Sequence, residues 1–335
     1  MGLLLAGCGQ KAAEPEKQAE KTAEKAGESA QKSGESAGET PKKTFTVAFV
    51  PGITTDAFYI SMKRGVDQKA RELGINILYQ GAPEWDYTKQ TPIIESIIAK
   101  KVDLLITAPT NAETMIAPLK KCVDAGIPVI TVDTNIKDDS FIVANITSDN
   151  LQGGKIAVDT LAKILGSKGE VALINTKPGV TTTDDRQKGF IEGLKAYPDM
   201  KLVSQQYCND QAEIAAAQVQ DIYLAKPNLK GVFAANVISA NGVQAGLKAK
   251  GLTGKVALVA YDAGPAQVEG LKAGNITSLV VQKPLAEGAT TVEYAYYYLT
   301  GQKDKIEKNK LIPAVIATKE NMDDPEISKW FYTSD

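Results

Sequence analysis

The sequence predicts an α/β protein built of two Rossmann-like βαβ lobes joined by a multi-strand hinge. Three observations carry that prediction. From Thr44 onward, short β-branched apolar runs alternate with helical patterns, the runs ending roughly every 25–30 residues, which is the rhythm of right-handed βαβ units on a parallel sheet. The alternation pauses at Ser148-Asp149-Asn150, a set of helix N-cap residues, and then restarts. The chain's 335 residues also exceed the usual size of one compact core.

In the first lobe the strand candidates are Phe45–Val50, Ile75–Tyr79, Val102–Ile106, Ile127–Val132 and Phe141–Ile146. Between them, Phe58, Met62, Val66, Ala70 and Leu73 share a helix face that stops at Gly74. Ile93, Ile94, Ile97 and Ile98 mark a second helix, and Met115, Ile116, Leu119 and Val123 a third. The second lobe repeats the pattern with strands at Val171–Asn175, Lys201–Ser204, Gly231–Ala235, Val256–Ala260 and Ile276–Val281, and helices near 149–165, 184–197, 211–225, 238–249 and 265–273. A helix over 285–299, whose tyrosines read as packing, and one strand over Leu311–Thr318 follow; 319–335 reads as a mostly irregular end. The expected boundaries are 44–147 plus 284–312 for lobe I and 148–283 plus 313–335 for lobe II, with crossings near 147–149, 282–285 and 312–314.

The N-terminus has a different character. MGLLLAGC resembles a bacterial lipobox, so 1–8 is expected to be a remnant of a lipoprotein signal peptide and Cys8 the lipidated residue. The basic n-region and full apolar core of a signal peptide are missing, which reads as a truncated or misassigned start. Residues 9–43 hold no large apolar side chain and carry GESA twice, so they are expected to form a disordered tether. Cys122 and Cys208 fall in different lobes and are expected as unpaired thiols.

Composition excludes several functions. The net charge of −2 offers nothing to nucleic acid. The chain has no histidine, which removes the commonest general base, and with only three cysteines it has no Cys/His cluster for zinc; neither a metal nor a cofactor is expected. It also lacks a G-x-S-x-G elbow, a Walker loop and a G-x-G-x-x-G after the first strand. Paired carboxylates such as Asp133 and Asp262 leave a glycosidase in principle, but the chain is expected not to be an enzyme.

Ligands of open parallel sheets bind beyond the carboxyl ends of the strands. The residues there are Asp56, Phe58 and Tyr59; Glu84, Trp85 and Asp86; Asp133; Asp184, Asp185 and Arg186; Asn236; Asp262; and Gln282. Singly, Asp56, Asp86 and Asp184 read as helix N-caps, Phe58 as core and Asp262 as turn chemistry. Together, carboxylates and amides suit adjacent hydroxyls, Arg forks across two oxygens, and aromatic faces cover the C–H side of a sugar ring.

From Thr44 to about Ile316 the chain resembles the type I periplasmic sugar-binding proteins of ABC importers, of the ribose-binding type. The segments that carry the resemblance are AFYISMKRG (57–65), GIPVITVD (126–133), SDNLQGGK (148–155), RQKGF (186–190), GVFAAN (231–236), VAYD (259–262) and Gln282 before Lys-Pro. The resemblance implies that Phe58 and Tyr59 bracket a sugar and that Asp133, Arg186, Asn236, Asp262 and Gln282 bind its hydroxyls; Asp56, Trp85, Asp184 and Asp210 complete the candidate set. Where the family's ribose binders have Arg and Asn, this chain has Thr134 and Asp56; with Asp184-Asp185 and PEWD at 83–86, this points toward deoxy sugars, sugar signals or sugar alcohols.

The expected function is capture of a small sugar or polyol by hinge closure and delivery to an ABC import permease, by a monomer lipid-anchored outside the cytoplasm. An autoinducer-type or other polar-ligand receptor of the same fold is the alternative. A lactose-repressor-type regulator would need a basic helix-turn-helix before Thr44, where the chain has the lipobox and tether instead. Asp133 and Arg186 are expected to reach water in the open cleft, so truncating either is expected to leave the stability of the free protein nearly unchanged.

Overall fold

A computed structural model of the chain describes residues 44–334. Cys8 and the 9–43 segment lie outside the described residues.

Lobe I runs β1 (Thr46–Val50), α1 (Ala57–Leu73), β2 (Asn76–Tyr79), α2 (Tyr87–Ala99), β3 (Leu104–Thr107), α3 (Ile116–Asp124), β4 (Val129–Val132) and β5 (Ala144–Ser148). Lobe II runs α4 (Asn150–Leu165), β6 (Gly169–Asn175), α5 (Thr181–Leu194), β7 (Met200–Tyr207), α6 (Ala212–Ala225), β8 (Leu229–Ala234), α7 (Val237–Ala249), β9 (Ala257–Tyr261), α8 (Pro265–Lys272) and β10 (Ser278–Val281). The chain then returns through α9 (Pro284–Leu299) to β11 (Asn309–Ile312), β12 (Val315–Ala317) and a one-turn α10 (Pro325–Ser328).

The strand orders are β11-β5-β4-β3-β1-β2 and β12-β10-β9-β8-β6-β7, so the two sheets share one strand order. All pairings are parallel except β10 with β12. Both faces of each sheet are covered, which is why the strands are apolar throughout rather than alternating. In β1, Val47 and Phe49 pack toward α1 with Met62 and Val66, while Ala48 and Val50 pack toward Ile94 and Leu119. In lobe II, Val171 and Leu173 face Phe190, and Ala172 and Ile174 face the other layer.

Three segments cross between the lobes, at Ser148–Asn150, Val281–Pro284 and Ile312–Val315. The last of these corrects the sequence reading: the expected single strand over Leu311–Thr318 is two short strands, one in each sheet, with Pro313 between them. Proline has no N–H to give a ladder and a fixed φ, so the run breaks there. Helix α5 likewise starts at Thr181, earlier than the expected 184. Asp184 is not its cap but sits in its first turn, where a negative charge suits the helix dipole, and accepts from the Gly179 N–H at 2.8 Å.

Two glycines let α4 carry the site. A Cβ on Gly153 would stand 2.2 Å from the Tyr261 hydroxyl, and one on Gly154 would stand 2.0 Å from the Arg186 carbonyl oxygen. Only glycine allows α4, α5 and β9 to approach this closely. Cys122 and Cys208 are free and buried, one in each lobe. Among the described residues no helix is long and apolar enough to cross a membrane.

Candidate functional site

The carboxyl ends of both sheets face each other across one cavity of about 150 Å³. Cavities of this volume in other proteins accommodate one six-membered ring. Its wall brings together Asp56, Phe58, Tyr59, Trp85, Asp133, Arg186, Asp210, Asn236, Asp262 and Gln282. Asp184 is the exception among the candidates: it is not on that wall, because the early start of α5 directs it to Gly179. At the rim the lobes touch, the Asn135 N–H donating to Thr181 Oγ1 at 3.3 Å.

Each lobe presents an aspartate from the end of its fourth strand. Asp133 follows β4 with φ 63° and Asp262 follows β9 with φ 83°, both in the left-handed region. Aspartate tolerates it better than most residues, and such strain clusters at functional sites. The two are held alike, Asp133 N–H donating to the Ile146 carbonyl and Asp262 N–H to that of Val280, each on the neighbouring strand.

Their carboxylates differ. Asp133 Oδ2 accepts from the Tyr59 hydroxyl at 2.5 Å. Asp262 Oδ1 accepts from Gln282 Nε2 at 2.5 Å and the Tyr332 hydroxyl at 2.9 Å, and Oδ2 from the Val237 N–H at 3.0 Å. Burial raises Asp133 to about 6; the Tyr59 hydrogen bond and Arg186 pull it back, and Asp262 and Asp56 push it up. Asp56 caps α1 by accepting from the Phe58 N–H at 2.7 Å. Burial lifts it to about 6 in spite of that bond.

Arg186 lies only 3 % exposed, stacked 3.7 Å from the Tyr261 ring. Its Nε donates to Asn150 Oδ1 at 2.8 Å and Nη1 to the Ala235 carbonyl at 2.9 Å. A guanidinium has five N–H donors, so three remain without a protein acceptor. Asn236 caps α7 through the Ser239 N–H and donates to Asp210 Oδ1 at 3.1 Å. Gln282 Oε1 and Trp85 Nε1 are buried without a partner. Both residues line the cavity, with these two atoms enclosed behind its surface.

The aromatics do not form two parallel walls. Phe58 and Tyr59 meet edge to face at 89°, with Phe58 also against Tyr332, and Trp85 tilts 31° to Tyr59. The Thr134 hydroxyl donates to the Pro109 carbonyl at 2.7 Å, so it braces a loop. Sequence reasoning missed Asn150, Lys177, Tyr261 and Tyr332. Asn150 read as a cap beside Asp149, which is the residue that accepts from Gln152 N–H.

A model of the periplasmic binding protein domain matches residues 47–303. The D-apiose import binding protein of Actinobacillus succinogenes is 28% identical over 277 residues, covering 82% of this chain and 88% of the relative. The D-allose-binding periplasmic protein of Escherichia coli K12 is 27% identical over 277 residues, covering 79% and 89%. Among solved structures, an ABC transporter solute binding protein from Agrobacterium vitis bound with alpha-D-tagatopyranose superposes with a TM-score of 0.83 at 39% identity, covering 87% of this chain and 100% of that one. With the domain match spanning most of the described residues, this chain belongs to the periplasmic binding proteins, as a type I member of the extracytoplasmic sugar-binding components of ABC importers.

Proposed function

We propose that the chain binds one neutral monosaccharide or sugar-like polyol in this cleft and delivers it to its permease without chemical turnover. The observation that carries this is the ring-sized cavity between Asp133 and Arg186, each only part-satisfied by groups of its own lobe. Asp133 Oδ1 and three Arg186 N–H groups come from opposite lobes and have no protein partner, so a ligand that pairs both rewards closure. Asp56, Asp210, Asn236, Asp262 and Gln282 add acceptors and amides suited to hydroxyls, with Phe58, Tyr59 and Trp85 as the apolar wall. Four carboxylates against Arg186 and Lys177 disfavour an anionic ligand. Binding and release then require the rim contact at Asn135 and Thr181 to open.

A thermal-shift screen tests this with D-tagatose, D-allose, D-apiose, D-arabinose, D-ribose and sugar alcohols, set against gluconate and sugar phosphates. Saturation at about 100 times Kd raises native stability by about 2.7 kcal/mol, so at least one neutral compound is expected to shift melting by several degrees. A response confined to the anions overturns the reading. NMR of the incubated sugar is expected to show it unchanged.

The LAGC motif supports a membrane-anchored form carrying lipid on Cys8. Mass spectrometry of the protein from its native membrane is expected to find a diacylglyceryl adduct on that cysteine; an unmodified thiol there counts against anchoring.

A further inference from the structure

The C-terminal end is a strap. After α10, Trp330 lies against the crossing residue Lys283, whose Nζ is 5.2 Å from its ring centre. The Tyr332 N–H donates to the Ala263 carbonyl at 3.0 Å, in the loop that carries Asp262. One residue on, the Thr333 N–H donates to Ser61 Oγ at 3.0 Å, and Arg64 Nη1 donates to Thr333 Oγ1 at 2.7 Å. Ser61 and Arg64 belong to α1, so the segment fastens lobe II, a crossing and lobe I together.

Tyr332 is the point at which this strap meets the cleft. Its side chain is 4 % exposed, its ring packs edge-on against Phe58, and its hydroxyl donates to Asp262 Oδ1. A carboxylate offers about four lone-pair directions. Gln282, Tyr332 and the Val237 N–H occupy three of Asp262's, two on Oδ1 and one on Oδ2. What remains is a single acceptor direction on Oδ2. Without the Tyr332 hydroxyl, Oδ1 regains a free lone pair and the carboxylate is held on that side by Gln282 alone.

We infer that Tyr332 is a positioning residue that aims Asp262 at the ligand, so that specificity at this carboxylate is set from the C-terminal strap. The inference rests on the sugar-binding reading of the cleft. It assigns the hydroxyl and the ring different work: the hydroxyl orients Asp262, and the ring seals the lobes against Phe58.

Calorimetry with the strongest-binding sugar of the panel, on wild type, Tyr332→Phe and Tyr332→Ala, separates the two. Tyr332→Phe is expected to melt close to wild type without sugar and to bind about tenfold more weakly, the scale of one hydrogen bond to a charged group. Discrimination between that sugar and its deoxy analogues is expected to narrow in the same variant. Tyr332→Ala is expected to add a loss of melting temperature with little further loss of affinity. If Tyr332→Phe binds like wild type, the ring alone matters and the inference fails while the sugar-binding reading stands. A wild type that binds no sugar in the panel overturns both.

Discussion

Arg186→Ala is expected to abolish the sugar-induced rise in melting temperature and also to lower the melting temperature of the free protein by roughly 5 °C or more. The binding loss follows from the three N–H groups without protein acceptors. Hydrogen bonds to charged groups are worth roughly 1.5–3 kcal/mol each, so removing them weakens binding on the order of 100-fold or beyond. The stability loss departs from the expectation that this side chain reaches water in the open cleft, because Asn150, Ala235 and Tyr261, which hold it, all belong to its own lobe. Arg186 is buried, stacked on Tyr261 and bonded to Asn150 and Ala235. Its removal strands the Ala235 carbonyl, leaves Asn150 Oδ1 only the Tyr261 hydroxyl at 3.5 Å, and opens a gap, a lost partner and a gap each costing about 1–3 kcal/mol. Asn150 in turn donates to the Ser148 carbonyl at 3.0 Å, so the disturbance reaches the first crossing.

Asp133→Ala is the control. Asp133 is buried too, 8 % exposed rather than reaching water. Its removal leaves the Tyr59 hydroxyl unpaired but also takes away a carboxylate that burial disfavours, so the two effects offset and the free protein is expected to melt near wild type while ligand binding is lost. Differential scanning fluorimetry with and without sugar reads both variants. An Arg186→Ala protein that melts like wild type and keeps its ligand shift sinks the assignment.

The contrast between these two residues shows what was legible in the sequence. Strand–helix alternation and strand-end position are local patterns, so the α/β class with its two lobes could be read, and so could Asp133 and Asp262 as residues facing a cleft. Whether a polar side chain also holds the protein together depends on what the tertiary fold brings against it. Nothing local announces that Tyr261, in the apolar run VAY, lies under Arg186, or that Gly153 makes room for it. Tyr332 was hidden more thoroughly, in a tail without periodicity whose partners Asp262 and Ser61 lie 70 or more residues away. The strand over Leu311–Thr318 was misread for a related reason: an apolar run shows that residues are buried but not in which sheet, and Pro313 divides this one between two.

Glu287 was illegible for the same reason, and it carries the largest expected pH effect. In the pattern of α9 it reads as an ordinary first-turn acid. In the structure it is 0 % exposed beside the crossings, with Oε1 accepting from Ser148 Oγ at 2.5 Å and Oε2 unpartnered. Burial, then the charge of Asp133, raises its pKa from 4.5 to about 8, against the Ser148 hydrogen bond and Arg186. Between those values the unfolded chain releases a proton that the folded protein keeps. The contribution to stability is therefore full below about pH 4.5 and is lost as pH rises through about 8. About 1.4 kcal/mol is at stake for each pH unit between the two values, a few kcal/mol in all. Asp133 and Asp56, both raised to about 6, act in the same direction over a lower window. Glu287→Gln keeps an acceptor for Ser148 and mimics the neutral acid. It is expected to match wild type near pH 4.5 and to exceed it by a few kcal/mol at about pH 8.5, leaving only the decline from the two aspartates, which is complete near pH 6. Urea unfolding across that pH range measures this; parallel curves for the two proteins, or a variant weaker at high pH, would mean that the Glu287 carboxylate is stabilised in the fold by partners other than Ser148.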